Sequence, residues 1–66
     1  MEITLNGETT KIVEPCTAAG LIEHLQLQGK RLAIEVNLEI VPRSQYTDYC
    51  LQAGDRVEIV HAIGGG

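Results

Sequence analysis

The residues that could do chemistry in this sequence are few, and three of them are the glycines that close it: Gly64, Gly65 and Gly66. Glycine has no Cβ, so such a run is thin and flexible and can thread a narrow channel that any side chain would block. A carboxylate on Gly66 becomes an acyl donor once AMP from ATP is attached to it as a mixed anhydride. A sulfur nucleophile can then displace AMP and leave a thioester or a thiocarboxylate. This chemistry requires no catalytic residue in the chain that carries the carboxylate.

The cysteines and histidines give a weaker signal. Cys16 and Cys50 are far apart in the sequence and form no C-x-x-C pair. Even with His24 and His61 the spacing does not suit a structural zinc site, which needs about four clustered ligands. We expect both cysteines to be small buried thiols, because free cysteine packs as a small hydrophobe. We expect His24 to lie on the solvated flank of a helix and His61 to have a structural or partner-contact role.

The composition indicates one small globular domain. The 66 residues are 44% hydrophobic and 21% charged, and a chain of this length buries only a small core. Nine acidic residues against five basic ones give a net charge of −4. This balance disfavours a nucleic-acid partner, because affinity for phosphate comes mostly from Lys and Arg. It suits a basic protein partner instead.

The sequence contains neither a membrane segment nor an enzyme motif. No stretch approaches the roughly 20 apolar residues that span a bilayer, and the start, MEITLNG, has neither a basic region nor an apolar signal core. We therefore expect a cytoplasmic protein with no membrane partner. The glycine motifs that bind phosphates or present a nucleophilic serine are absent too. We expect no enzyme activity and no stably bound cofactor.

A hairpin is predicted at the start of the chain. Alternation of apolar and polar side chains over residues 1–5 is typical of a half-buried strand. Asn6 and Gly7 form the strongest short hairpin signal, because both turn positions need positive φ. The second strand is predicted over residues 8–13.

A helix follows the hairpin. Thr17 is a suitable N-cap, the regular turns are predicted to stop near Gln26, and Gly29 is the predicted stop signal. The apolar stripe of this helix consists of Ala18, Leu21, Ile22 and Leu25.

Two strands are predicted in the middle of the chain. The third strand alternates strictly, with one face formed by Leu32, Ile34 and Val36. A turn at Asn37 leads to a short strand over residues 39–41. Pro42 ends that strand, and because proline cannot donate to a ladder the strand belongs at an edge of the sheet.

The last part of the chain is predicted to be irregular over residues 43–52 and then extended over residues 56–63. Tyr46 and Leu51 are the expected anchors of the irregular part onto the core. The final strand has apolar side chains on both faces, which favours a central place in the sheet. These side chains are Val57 and Ile59 on one face, and Val60 and Ala62 on the other.

The predicted order of elements is strand, strand, helix, strand, strand, strand. One helix cannot cover both faces of a sheet, so one face stays open to solvent or to a partner. The order predicts an α+β protein of the ubiquitin-like β-grasp fold, with a mixed sheet of about five strands around one main helix. We assign residues 1–63 to the β-grasp domain and residues 64–66 to a flexible C-terminal tail.

Three segments carry a family resemblance that covers essentially the whole chain. They are LNGE at residues 5–8, AIEVNLEIVPRSQY at residues 33–46, and LQAGDRVEIVHAIGGG at residues 51–66. In their order and spacing these segments make the chain similar to the bacterial sulfur carrier proteins of thiamine biosynthesis, the ThiS family.

The resemblance implies a function for the tail. It implies that Gly66 is adenylated by an E1-like partner that consumes ATP, and that a sulfur-donor system then converts the adenylate to a thiocarboxylate. A thiazole synthase would take the sulfur to build the thiazole ring of thiamine. Gly64 and Gly65 would form the arm that enters the partner active sites. Val60 and Ala62 are candidates for a docking face, or for simple core positions.

Other functions share the same fold and tail. The small subunit of molybdopterin synthase has the same adenylation chemistry but a different sulfur acceptor, and it is typically a longer chain. A ubiquitin-like protein modifier would be joined to lysines instead. A β-grasp interaction module would have an inert tail, and deletion of the last two glycines would leave its function intact.

Overall fold

The computed structural model describes residues 1–61, which form one mixed β-sheet with an α-helix on one face. The elements in chain order are β1 (Glu2–Leu5), β2 (Glu8–Lys11), α1 (Ala18–His24), β3 (Leu32–Val36), β4 (Glu39–Val41), a 3-10 helix (Arg43–Gln45) and β5 (Arg56–His61). The strands lie in the order β2-β1-β5-β3-β4. β1 and β5 are parallel and the other neighbours are antiparallel. This arrangement confirms the predicted mixed sheet, with β5 at its centre and β4 at an edge.

Both hairpins turn on pairs of residues with positive φ. Asn6 and Gly7 have φ of 49° and 85°, which confirms the predicted turn. Asn37 and Leu38 have φ of 53° and 71° and join β3 to β4 in the same way. Two positive φ angles in a two-residue loop give the backbone twist that matches the twist of the flanking strands.

The second strand is shorter than predicted, because it ends at Lys11 rather than at Val13. Lys11 pairs with Glu2, the first residue of β1, so little of β1 remains for further pairing. The N–H of Ile12 still donates to the carbonyl of Met1 at 2.9 Å, and the Ile12 side chain packs in the core. Val13 is exposed.

The helix begins where predicted and ends near Gln26, as predicted. Oγ1 of Thr17 accepts a hydrogen bond from the N–H of Gly20 at 3.0 Å, which confirms the N-cap. A Cβ at position 20 would lie 3.3 Å from that oxygen, so glycine leaves room for the cap. The last helical residue is His24, and Gln26 takes the left-handed φ of 59° that ends the helix. Gly29 also has positive φ, but it lies in a later turn, so its prediction as the stop was wrong.

The core is a single layer between the helix and the sheet. Leu21 of the helix packs with Ile34 and Val57, which lie on the two adjacent central strands. The buried hydrophobic residues are Ile3, Ile12, Ala18, Leu21, Leu32, Ile34, Val36, Val41, Leu51, Val57 and Ile59. No helix within residues 1–61 is long and apolar enough to cross a membrane.

The connection between β4 and β5 is more regular than predicted. It contains the 3-10 helix, and an isolated antiparallel bridge joins Cys50 to Thr17 at the start of α1. Leu51 is buried and Tyr46 is half-buried against the core, so both predicted anchors are confirmed. A three-residue helix has no periodic pattern that the sequence could reveal.

Candidate functional site

β5 is the last described element of the chain, and its register fixes the place of His61 in the sheet. Its ladder with β3 runs from the Val36–Val57 pair to the Leu32–His61 pair. His61 is the last described residue, so the chain continues from the point where β3 begins. The predicted functional residues Ala62, Gly64, Gly65 and Gly66 lie outside the described residues.

The first residues of β5 pair with strands on both sides, whereas its last described residues pair with one strand only. β1 pairs with β5 only at the Thr4–Arg56 and Leu5–Val57 pairs. The turn after β1 adds two bonds, because the N–H of Asn6 donates to the carbonyl of Val57 at 2.9 Å and its Oδ1 accepts from the N–H of Ile59 at 2.8 Å. Within the described ladders, the residues after Ile59 pair with β3 alone. The start of β5 is therefore fixed by more hydrogen bonds than its last described residues, Val60 and His61.

Val60 lies on the face of the sheet that the helix does not cover. Its side chain is 51% exposed, and it pairs with Ala33 of β3. Ile40 of β4 lies on the same face and is 71% exposed. The central place of β5 is confirmed, but the second apolar face of this strand is not covered within the described part of the chain. Val60 is thus accessible to a partner, and its docking role stays a prediction.

Two carboxylates share this open face. Glu35 of β3 lies directly opposite Glu58 of β5, and Ile40 lies opposite Glu35 on the other side. Like charges at directly opposed positions destabilise a sheet. We call the surface formed by Ala33, Glu35, Ile40, Glu58 and Val60 the open face. It combines exposed apolar groups with negative charge.

The histidines are both exposed. His24 ends the helix on its solvent side, which confirms its predicted place on the surface. His61 is exposed opposite the buried Leu32. Among residues 1–61, no group of three or more His, Cys, Asp or Glu side chains is placed to hold a metal ion.

The prediction that both cysteines are buried was wrong. Cys50 is exposed and Cys16 is half-buried, and both are free thiols. Cys50 sits in the bridge to Thr17, on a surface segment where its neighbour Leu51 takes the core position. Burial raises the pKa of the Cys16 thiol, and the nearby Cys50 raises it further.

The sequence reasoning missed part of the open face. It singled out Val60 but not Ile40, Glu35 or Glu58. The signal for Glu35 was present, because strict alternation in β3 sets it opposite to Ile34. Its proximity to Glu58 follows only from the pairing register of two strands that are distant in sequence.

The fold and the glycine run that follows its central strand in the sequence define the class of protein. A mixed five-stranded sheet around one helix, whose central strand leads into a glycine run, is the architecture of small ubiquitin-like β-grasp carriers. The sequence model of the ThiS family matches residues 3–66. The chain belongs to the ThiS family.

Relatives and solved structures agree with this assignment. The sulfur carrier protein ThiS of Escherichia coli is 30% identical over 66 residues, with 100% of both chains covered. The sulfur carrier protein ThiS of Bacillus subtilis is 35% identical over 65 residues, covering 97% of this chain and 98% of that one. The crystal structure of the thiamine biosynthesis protein (ThiS) of Geobacter metallireducens superposes with a TM-score of 0.87 at 28% identity, with 100% of both chains covered. The β-grasp fold is thereby confirmed.

A second kind of relative is much longer. The thiazole synthase of Paramagnetospirillum magneticum is 39% identical over 66 residues, which are 100% of this chain and 20% of that protein. The thiazole synthase of Magnetococcus marinus matches with the same identity and the same coverage. The chain therefore spans about a fifth of the length of these two relatives.

Proposed function

We propose that this chain is a sulfur carrier of thiamine biosynthesis that carries the sulfur on Gly66. Membership of the ThiS family and the full-length similarity to two sulfur carrier proteins support the proposal. The observation that carries it is the register of β5, which ends the described body at the Leu32–His61 pair and leaves the glycine run beyond it. The chain acts as a cosubstrate of partner enzymes in the cytoplasm, where those partners use ATP.

The chemistry requires two displacement steps at the Gly66 carboxyl group. In the first, a carboxylate oxygen attacks the α-phosphorus of ATP on an E1-like partner, and pyrophosphate leaves. In the second, hydrosulfide supplied by the donor system attacks the carbonyl carbon, AMP leaves with the former carboxylate oxygen, and the sulfur loses its proton to solvent. The product is a thiocarboxylate, whose sulfur a thiazole synthase accepts. The partners supply catalysis and ATP, and this chain supplies the acyl group.

The length of residues 62–66, which we call the arm, suits delivery of Gly66 into a partner active site. Residues 62–66 can span at most about 18 Å when fully extended. That reach exceeds the thickness of one layer of secondary structure, so Gly66 can enter a partner active site while the β-grasp body stays outside. Gly64 and Gly65 allow passage through a narrow channel, because neither has a side chain.

The open face is the proposed docking surface for a partner. Val60 and Ile40 offer exposed apolar contact next to the start of the arm. The opposed pair of Glu35 and Glu58 favours a basic partner residue, since a cation between them would remove the repulsion between two carboxylates. The other residue predicted for docking, Ala62, lies outside the described residues, and its role remains part of the proposal.

A growth experiment tests this function. A strain that lacks this gene is given either the full chain or a variant without Gly65 and Gly66, in medium without thiamine. We expect only the full chain to restore growth, and we expect added thiazole to restore growth of the deletion strain. Growth supported by the shortened variant would show that the carboxyl group of Gly66 is not used. Failure of thiazole to rescue the deletion strain would point to another sulfur acceptor, such as the molybdopterin precursor.

A further inference from the structure

A groove of about 460 Å³ opens on the helix side of the sheet, away from the open face. It lies between the C-terminal end of α1, the segment that leads into β3, and the 3-10 helix with the residues that follow it. Its apolar lining includes Ile22, Leu27, Leu32 and Tyr46. These side chains are also in contact with the core, so the groove is a shaped surface on a packed body.

Positive charge is concentrated around this groove. Lys30, Arg31 and Arg43 line it, although the whole chain has only five basic residues and a net charge of −4. Glu23 is the one carboxylate among the lining residues. Within residues 1–61, none of the three cations forms an ion pair with a carboxylate. Among the described residues these cations have no carboxylate partner, and their concentration on a negatively charged protein favours an anionic binding partner.

The groove lies beside the end of β5, the last described strand. Arg31 directly precedes Leu32, and Leu32 pairs with His61 in the β3–β5 ladder. Leu32 is itself a lining residue. A protein that binds residues 62–66 close to His61 therefore comes near Arg31 and the groove that Arg31 lines.

We propose that this groove, which we call the basic groove, docks an acidic segment of the thiazole synthase that receives the arm. The segment presents an apolar side chain to the floor and carboxylates to Lys30, Arg31 and Arg43. An apolar floor of four side chains suits a protein segment better than a small anion, which would leave that floor uncovered. The proposal rests on the proposed function, and thiazole synthase is the partner because two relatives of that name contain a region that matches this whole chain.

Charge reversal with a matched control tests the proposal. The groove variant is Arg31→Glu, and the control is Lys11→Glu on the edge strand β2, which changes the net charge equally but outside the groove and away from the open face. Binding of each full-length protein to the purified thiazole synthase of the same organism is measured by calorimetry at low and high salt, and thermal melts verify folding. We expect the groove variant to lose about tenfold in affinity and most of its salt dependence, and the control to bind like the unmodified chain.

Several results would overturn the proposal. Equal losses in the two variants would show that only overall charge matters, and no loss in either would place the interface elsewhere. Absence of binding by the unmodified chain, or competition by inorganic phosphate but not by chloride of equal ionic strength, would also overturn it. Failure of the proposed function is a separate result. It would appear as a chain that binds the synthase through the basic groove but never gains sulfur when incubated with ATP, adenylating partner and sulfur source.

Discussion

The two faces of the sheet have the same strands and opposite roles. In β3 and β5, one set of alternate residues packs under the helix and is buried, including Ile34 and Val57. The intervening residues, including Glu35 and Val60, lie on the open face. The buried residues under the helix therefore supply the stability of a small body, whereas the side chains of the open face are available for contact with a partner. Substitutions on the two faces should separate stability from binding.

The largest stability effect is expected on the buried face. Ile34 has no exposed surface, whereas Ile40, which lies on the open face, is 71% exposed. We expect Ile34→Ala to cost about 2–5 kcal/mol of unfolding free energy, because it removes buried methyl groups and leaves a cavity. The matched variant Ile40→Ala should cost less than about 0.5 kcal/mol. Denaturant unfolding of both variants measures the difference, and equal costs would contradict the separation of the two faces.

A substitution on the open face should lower the affinity for a partner enzyme. We expect Val60→Asp to weaken binding to a partner enzyme about tenfold, or about 1.4 kcal/mol, because it places a charge in an apolar contact beside two carboxylates. The control is Val13→Asp, at a valine that is 85% exposed and outside both the open face and the strands. Calorimetry with each partner measures the affinities. If the two variants bind equally well, Val60 has no docking role.

The N-cap residue Thr17 stabilises the start of the helix that packs on the buried face of the sheet. We expect Thr17→Ala to cost about 1 kcal/mol, because the N–H of Gly20 loses its acceptor at the helix start. Thr47→Ala, at an exposed threonine outside the helix, should change stability little. Thermal unfolding compares the two. A cost for Thr17→Ala no larger than that for Thr47→Ala would show that the cap does not contribute.

Removal of one of the two opposed carboxylates should have a smaller effect on stability, and it should stabilise the protein. We expect Glu58→Gln to stabilise the protein by about 0.2–1 kcal/mol, because it removes the repulsion from Glu35 across the ladder. The gain should shrink at high salt, which screens exposed charges. Denaturant unfolding at low and high salt measures both quantities. A destabilised variant, or a gain that is independent of salt, would be inconsistent with this assignment.

The cysteines should differ in reaction rate without a change in fold. We expect a thiol alkylating reagent at neutral pH to modify Cys50 before Cys16, because Cys50 is exposed. The raised pKa of Cys16 leaves less of the reactive thiolate. As the pH rises, Cys16 deprotonates and the difference should narrow. Peptide mass analysis over time gives the two rates, and faster modification of Cys16 at neutral pH would contradict the described environment.

Local signals predicted most of the fold, and long-range packing decided the rest. The Asn6–Gly7 turn, the Thr17 cap and the alternation in β3 depend on near neighbours, so the sequence reveals them. The exposure of Cys50 depends on a bridge to a segment more than 30 residues away. The basic groove likewise requires Arg31 and Arg43 to converge from either side of a hairpin. No local pattern contains that information.

The central claim is that the body holds and presents the acyl group of Gly66 to other enzymes. Intact-mass analysis after incubation with ATP, the adenylating partner and a sulfur source tests it most directly. We predict that the chain gains the mass difference between one sulfur and one oxygen atom, and that fragmentation locates this change on Gly66. A chain that binds the adenylating partner and keeps its original mass, or that gains sulfur only at Cys16 or Cys50, would contradict the claim.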